Sequence, residues 1–296
     1  MSDGFDWLFL AEVSLAGLGS GALLALVALA FVLIYKATRV VNLAIGEMLM
    51  IGAYLFLSAV AGWGFQPWVA VPLVLLGGAL LGLVIERTVI APMLGESAIS
   101  TFMVTIGLGS VIAGLVEIVW GPDQAQLPEF MGSTPVFLGE AFVSRKIATG
   151  FVVAALAIAA FVLAFRTSRA GVALRATASD QGAAFSCGIN VPRVFSAAWV
   201  LAGMTAAGAG ILVGAVGGVS PAMGAFALSA LVVVIVGGLD SVFGALAGGL
   251  MVGLIEAWIG AYLGGEYKLP ATFALLMAVL VLRPHGLFGT AEIERL

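Results

Sequence analysis

The sequence predicts an all-α, polytopic membrane protein, and three observations carry that prediction. Of its 296 residues, 62% are hydrophobic and only 9% are charged, against about 25% charged in a typical soluble domain. The mean hydropathy is +1.19. Apolar runs of about 20 residues, enough to cross a hydrocarbon core of ~30 Å, recur along the whole length. A soluble globule could not hide so much apolar surface, and a disordered chain would not carry it. Twelve Lys and Arg against sixteen Asp and Glu leave a net charge of −4 without a basic stripe, which excludes a nucleic-acid binder. The span 1–296 reads as one transmembrane domain.

Nine apolar runs are candidate membrane segments: 13–35, 41–61, 67–86, 98–120, 146–165, 194–217, 222–238, 241–263 and 268–283. The run 222–238 is short, and Gly237 and Gly238 interrupt its join to the next. A re-entrant or broken pair is the alternative there, giving eight or nine segments in all. The richest basic loop holds Arg166, Arg169, Arg175 and Arg193 and should face the cytoplasm. Alternating outward from it puts Lys36, Arg39, Arg87, Arg283 and Arg295 on the same side. Only Arg145, Lys146 and Lys268 fall opposite, so nine of twelve cations are inside. An N-out, C-in chain with an odd number of crossings follows. The acidic start, with Asp3, Asp6 and Glu12 and no Lys or Arg, agrees with it. That start lacks the basic stretch of a secretory signal peptide, so the first apolar run is expected to remain a membrane helix.

Several chemistries are excluded by residue counts. One cysteine, Cys187, rules out an internal disulfide, and one histidine, His285, rules out a His-based metal cluster within the chain. Cys187 is expected to be an inert thiol and His285 an interfacial or capping residue. The only lysines are Lys36, Lys146 and Lys268, and none follows a glycine, so no phosphate-binding P-loop exists. If ATP powers this protein, another subunit hydrolyses it.

The 40 glycines place small-xxx-small pairs at Gly17/Gly21, Gly78/Gly82, Gly210/Gly214, Gly244/Gly248, Gly249/Gly253 and Gly260/Gly264. Within lipid, helices associate by close backbone approach, which glycine permits, so these pairs predict tight helix packing. The loop 121–144, with Pro122, Pro128 and Pro135 among its acids, reads as an extracytoplasmic cap, either a connector or part of a docking surface. Between Gly171 and Gly188 the sequence supports a short helix, closed by Gly188 and stopped by Pro192. It mixes apolar and charged groups too evenly to span lipid. It either inserts into a groove on a cytoplasmic partner or lies on the headgroups.

Charges within spans are costly and therefore informative. Glu256 lies about 10 Å from the outer end of its span, and Glu47, in Asn42-Leu-Ala-Ile-Gly46-Glu47, about 9 Å from the inner end of its own. Each either clamps helices together or contacts solute. Glu117 reads as interfacial and Glu86 as a boundary residue paired with Arg87. Ser220 and Pro221 suit the N-cap and first turn of a helix beginning at depth, whose free N–H groups would face an anionic group. A parallel case begins near Asn42. A substrate pathway therefore draws on Asn42, Gly46, Glu47, Ser220, Pro221 and Glu256.

Together these pieces resemble the LivH-like membrane subunits of branched-chain (hydrophobic) amino-acid ABC importers. The likeness is carried by Gly19-Ser-Gly-Ala-Leu23, Asn42 through Tyr54, Ile85-Glu-Arg87, Ser168-Arg-Ala-Gly171, Gly188-Ile-Asn190, Glu266-Tyr-Lys268 and Arg283-Pro-His-Gly-Leu-Phe-Gly289. Ala183-Ala-Phe-Ser-Cys-Gly188 looks like the core of the loop by which importer permeases contact their ATPases. The resemblance implies a coupling loop over 166–193, with Arg169, Gly171, Arg175, Ala183, Ala184 and Gly188 at the contact. It implies an inner-membrane permease without catalysis of its own, paired with a second homologous permease subunit. Two cytoplasmic ATPases carrying ATP and magnesium and an extracytoplasmic binding protein complete the assembly, and no cofactor is bound by this chain. The family's solutes include branched-chain amino acids, with relatives for urea, amides and aromatic acids. Three positions depart from the pattern: Ile45 where histidine is common, Asp240 where glycine is usual, and Gly182 at an acidic position. The rival from another class is a self-sufficient secondary transporter or channel, with ion or proton chemistry at Glu47 or Glu256.

Overall fold

The computed structural model describes residues 7–132 and 134–289. Of the charges behind the expected orientation, Asp3, Asp6 and Arg295 lie outside the described residues. The chain is all-α apart from one hairpin. Helix α1 (Trp7–Thr38) is followed by α2 (Ile45–Leu57), which runs on as a π turn over Ser58–Gly62. Next come α3 (Pro67–Ile85), extended by a π turn over Glu86–Ile90 and a 3-10 turn over Ala91–Met93, and α4 (Ala98–Trp120). The hairpin β1 (Val136–Leu138) and β2 (Ala141–Val143) leads to α5 (Arg145–Thr167), then the short α6 (Arg169–Ser179) and α7 (Gln181–Ser186). The chain ends with α8 (Val191–Gly217), a 3-10 turn over Pro221–Ala225, α9 (Phe226–Gly237), α10 (Val242–Tyr262) and α11 (Lys268–Leu282).

Eight of the nine expected segments are helices long and apolar enough to cross a bilayer. The ninth is a shorter apolar stretch, Pro221–Gly237, broken into a 3-10 turn and α9. From the end of α8 the chain is extended at Val219, whose backbone pairs with Ala125 of the 121–144 loop. It then turns through the 3-10 stretch into α9, only 12 residues long. The far end of α9 meets the chain's last described residues, where Leu287 and Phe288 donate N–H groups to the carbonyls of Val236 and Gly237. The first third of this stretch is a 3-10 turn packed against α2, so its irregular backbone lies against protein, where such backbone is tolerated in a membrane protein.

The two ends of the described chain lie on opposite faces. Glu12 accepts a hydrogen bond from the Phe142 N–H of the hairpin. At the other end of α1, Lys36 donates to the Asp240 carbonyl and Arg39 to that of Ala178, so the 166–193 loop, the α9–α10 turn and the C-terminal residues share one face. Among the described residues, eight helices long and apolar enough to cross a membrane and the shorter apolar stretch Pro221–Gly237 connect them.

Helix α1 is the axis of the bundle. From Ala22 to Ile34 every residue is buried, as befits a helix apolar on all sides. It packs on α10 by mutual glycine contact: a Cβ on Gly21 would stand 2.6 Å from the Gly249 carbonyl oxygen, and one on Gly253 2.3 Å from the Gly21 Cα. Helices α3 and α8 repeat the device, with a Cβ on Gly78 falling 2.5 Å from the Gly203 oxygen. Gly244 and Gly248 likewise face the α9 backbone. One expected pair differs: Gly264 is not in a helix but turns the chain after α10 at φ +118°.

Gly21→Leu should therefore prevent the close approach of α1 and α10. Overpacking of this kind costs about 1–3 kcal/mol or more. In detergent, the variant should melt well below wild type, whereas Gly107→Leu, at a position with nothing within 4 Å of its Cβ, should not. Equal melting temperatures for both would refute the glycine-contact account.

Candidate functional site

Two chain breaks meet inside the bundle. Residues 40–44 re-enter from the end of α1 and start α2 at depth, because Asn42 reorganises the turn. Its buried side chain accepts the Ala44 N–H through Oδ1 at 3.1 Å and lies 3.6 Å from the Met48 sulfur. The Leu43 N–H finds the hydroxyl of Thr105 on α4. From the other face, the 3-10 turn Pro221–Ala225 arrives with Pro221 at its first position, as expected. Ser220 precedes it in extended conformation, but its side chain makes no capping bond; its carbonyl accepts the Met223 N–H instead. The two breaks touch at glycine, since a Cβ on Gly46 would stand 2.2 Å from the Gly224 oxygen.

Glu47 sits at this junction. Its carboxylate lies against Gly224 on one side and Gly109 on the other, where Cβ atoms would stand 3.1 Å and 3.2 Å from its oxygens. Gly109 is halfway along α4, so Glu47 is nearer mid-bundle than the span boundaries of the sequence indicated. The first turns of α2 and of the 221–225 stretch converge here, and helix N-termini favour negative charge. Oε2 is buried with no hydrogen-bond partner among the described residues.

Glu256 is elsewhere and differently used. Its Oε1 accepts from Ser229 of α9 at 3.0 Å and from Thr272 of α11 at 2.8 Å. Three helices are tied at one carboxylate oxygen, which is the clamp alternative. Glu86 corrects a sequence expectation. It is 4% exposed and takes the Ser196 hydroxyl of α8 at 2.8 Å, so its partner is on a neighbouring helix and is not the adjacent Arg87. Asn42, Gly46, Glu47 and Pro221 are thus gathered at one place, while Glu256 braces another. A separate cavity of about 660 Å³ among α1, α3, α5 and α8 is lined by apolar side chains such as Leu29, Val71 and Phe161, with Arg145 its charged member. None of the expected pathway residues lines it.

The 166–193 loop folds as two helices where the sequence suggested one over 171–188. Asp180 separates them: it is extended at φ −158°, and its Oδ1 caps α7 by accepting the Ala183 N–H at 2.9 Å. Short polar side chains prefer such caps to helix interiors. Gly188 closes α7 at φ +84° as expected, with the Ile189 N–H reaching back to the Ala184 carbonyl. The expected contact residues divide. Arg169 and Ala183 are exposed. Ala184 is buried with Ala37, Leu174, Phe195 and Ala198, and Gly171 is pressed against the Phe165 carbonyl, so both hold the loop to the bundle. Arg175 turns back over the Phe165 ring and donates to the Phe165 carbonyl. Phe185, which the sequence offered as part of the loop helix but not as a contact residue, is 70% exposed on α7.

One set of contacts joins this loop to both breaks. Lys36 lies over the Phe165 ring at 5.4 Å and bonds the α9–α10 turn at Asp240. Arg39 reaches the end of α6 at Ala178 and turns the chain toward Asn42 with φ +58°, the one positive φ outside glycine among the described residues.

A multi-pass helical membrane protein with broken internal segments and a protruding helical loop is the class these features define. A family model described as branched-chain amino acid transport system / permease component matches residues 13–282, and the chain belongs to that family. The permease protein LivH of Salmonella typhimurium, of a high-affinity branched-chain amino acid transport system, is 32% identical over 309 residues, covering all of both chains. The corresponding protein BraD of Pseudomonas aeruginosa is 30% identical over 294 residues, covering 94% of this chain and 95% of its own. Among solved structures, PsaBC from Streptococcus pneumoniae in complex with Fab aligns with 95% of this chain and 94% of its own, at 13% identity and a TM-score of 0.49.

If Glu256 is a clamp, its loss should register as stability. Glu256→Ala should lower the unfolding free energy by about 1.5–3 kcal/mol, the range for hydrogen bonds to a charged group. Combined with Thr272→Val, the loss should be smaller than the sum of the two, which a double-mutant cycle in detergent measures. Strict additivity would show that the two side chains are not coupled.

Proposed function

We propose that this permease is the membrane subunit of an ATP-binding-cassette importer in the inner (plasma) membrane of a bacterial cell. Its basic face, with the 166–193 loop, is cytoplasmic, which gives an N-out, C-in chain. It pairs with a second homologous permease subunit, and two ATPases with their ATP and magnesium grip the cytoplasmic loops. An extracytoplasmic binding protein delivers solute to the 121–144 face. The chain binds no cofactor and catalyses no reaction itself. Its solute is a branched-chain amino acid or a related small molecule, and it passes the junction at Glu47.

The observation that carries the proposal is the α6–α7 pair. It is anchored beneath α1 by Ala184 and Leu174 while Phe185 and Val172 stand outward at 70% and 54% exposure. An exposed aromatic on a short helix is what a groove on a partner takes up. Physically, closing of the ATPase dimer would displace α6–α7. Lys36 and Arg39 would pass that displacement to the residues before α2 and after α9. The positive-inside distribution supports the orientation: eight of the described cations lie on the loop's face and Arg145, Lys146 and Lys268 on the other.

Cys187 gives a direct test, being the chain's one cysteine and exposed on this loop. A membrane-impermeant maleimide should label it in inside-out vesicles and not in intact cells, and co-purified ATPases should protect it. Labelling from outside would reverse the orientation. Phe185→Asp should abolish ATP-driven solute uptake while the permease stays folded and membrane-inserted. Normal uptake by that variant would remove Phe185 from the contact. An Ala184 substitution would not discriminate, because Ala184 is packed inside.

A further inference from the structure

Helix α5 packs chiefly on α1 and leaves a groove between itself and α8. Two cavities make up this groove. The one of about 660 Å³ reaches Arg145 beside the hairpin, and a second of about 500 Å³ continues it to Arg193 beside the 166–193 loop. Ala157 and Phe161 of α5 and Met204 and Thr205 of α8 line both, so the two join at mid-length. From Arg145 to Phe165 the α5 wall runs about 30 Å at ~1.5 Å per residue, the thickness of a hydrocarbon core. Val153 on one wall and Leu201 on the other are 41% and 39% exposed, so the groove is open along its side.

Each cavity has one charged lining residue, and each is an arginine at an end of the groove: Arg145 is the first residue of α5, and Arg193 lies in the first turn of α8. Lys146 follows the first, and Arg166 and Arg169 flank Ser168, which lines the loop end. The Arg145 guanidinium gives one N–H to Thr134 Oγ1 at 3.0 Å and keeps its other donors. Among the described residues neither Arg145 nor Arg193 is paired with a carboxylate. Between the two ends the walls are apolar and often small, with Ala160, Ala164 and Ala197 leaving space that no side chain fills. The Thr205 hydroxyl at the join is spent on the Leu201 carbonyl at 2.8 Å, so it does not call for a polar guest.

The occupant of such a groove is apolar through the depth of the bilayer and anionic at both faces. A helix of another subunit would have to bring a carboxylate to each arginine. Phospholipid places phosphate at both levels already, with acyl tails between. Guanidinium matches phosphate oxygens two at a time, and basic pockets between membrane helices hold anionic head groups. We propose that the α5–α8 groove is a resident site for two anionic phospholipids, one from each leaflet. The phosphates pair with Arg145 and Arg193, and the tails meet beside Ala157 and Met204. The surrounding tails are as apolar as the groove, so burial alone gives no preference for this place. The head-group charge and the alanine-lined space supply it.

The test uses the full-length chain, purified in mild detergent with the subunits that accompany it in the membrane. Native mass spectrometry should find phospholipid retained, and the delipidated protein should rebind phosphatidylglycerol in preference to phosphatidylcholine. Arg145→Gln and Arg193→Gln should each weaken phosphatidylglycerol binding about tenfold or more, the effect of losing a hydrogen bond to a charged group. Ala157→Phe, which fills the join of the two cavities, should lower retention at both ends while the melting temperature holds. Should that variant fail to fold, the two arginine variants decide the matter, because both positions are exposed. A photo-crosslinker carried at Ala160 should label lipid. Crosslinking there to another subunit or to a second copy of this chain would make the groove a protein interface and overturn the proposal. Equal affinity for the two lipids, or binding unchanged in all three variants, overturns it as well.

Discussion

The contact between Gly46 and the Gly224 carbonyl fixes more of this molecule than any other. Two segments that enter from opposite faces must both stop being extended chain and start being helix within the same few ångströms. Backbone can meet backbone there only if neither carries a side chain, and a Cβ on Gly46 would fall 2.2 Å from that oxygen. In lipid an unwound stretch would leave its N–H and C=O groups unpaired at large cost. That cost is removed one bond at a time, from within the breaks by Asn42 for Ala44 and Ser220 for Met223, from α4 by Thr105 for Leu43, and from the 121–144 loop by Ala125 for Val219. Glu47 is tolerated at mid-depth for the same reason, because it faces two helix starts and not hydrocarbon.

That junction is also joined to the 166–193 loop through the last turn of α1 and the residue after it. The residues before α2 hang from Arg39, and those after α9 from Asp240; both points are held by the last turn of α1. Lys36 and Arg175 share the Phe165 ring at 5.4 and 5.1 Å, so the base of the loop bears on the same spot. Arg39 holds a left-handed backbone conformation that costs a non-glycine residue free energy and persists only where neighbours impose it. A strained hinge, bonded to the loop on one side and leading to the break on the other, is the shortest physical path between them. Helix α1 itself, buried along most of its length and locked to α10 by glycines, is the fixed post against which such a movement is made.

The spans were legible because the bilayer imposes length: the run 98–120 is α4 to the residue, and the others differ by a few residues at their ends. Glycine spacing was legible as packing, since period four places two glycines on one face whatever they touch. The broken stretch Pro221–Gly237 showed itself only as a short run, because its break depends on which distant groups accept the freed bonds. The loop helix was drawn as one because its apolar residues continue through 171–188, while Asp180 divides it by capping from within. Partners of charged groups were the least legible. Glu86 looks paired with Arg87 along the chain and is paired with Ser196 110 residues away. Ala184 lies in the most family-like part of the loop, yet it faces inward, and Phe185 beside it faces out. A helix face cannot be assigned in a six-residue helix without knowing what it rests on.

Glu256 and Glu47 show how differently two carboxylates of similar sequence depth are accommodated. Both lie within apolar segments, and both would be prohibitive facing lipid. Glu256 has its needs met by hydroxyls of two other helices, and Thr272 in turn is backed by the Lys268 carbonyl. Nothing further is required there, so its contribution is to hold α9, α10 and α11 in register. Glu47 is enclosed by glycines, which offer it space and no side-chain donor, and one of its oxygens is left unmet. One Glu47 oxygen is thus left buried without a hydrogen-bond partner among the described residues, where the same need at Glu256 is met by two hydroxyls.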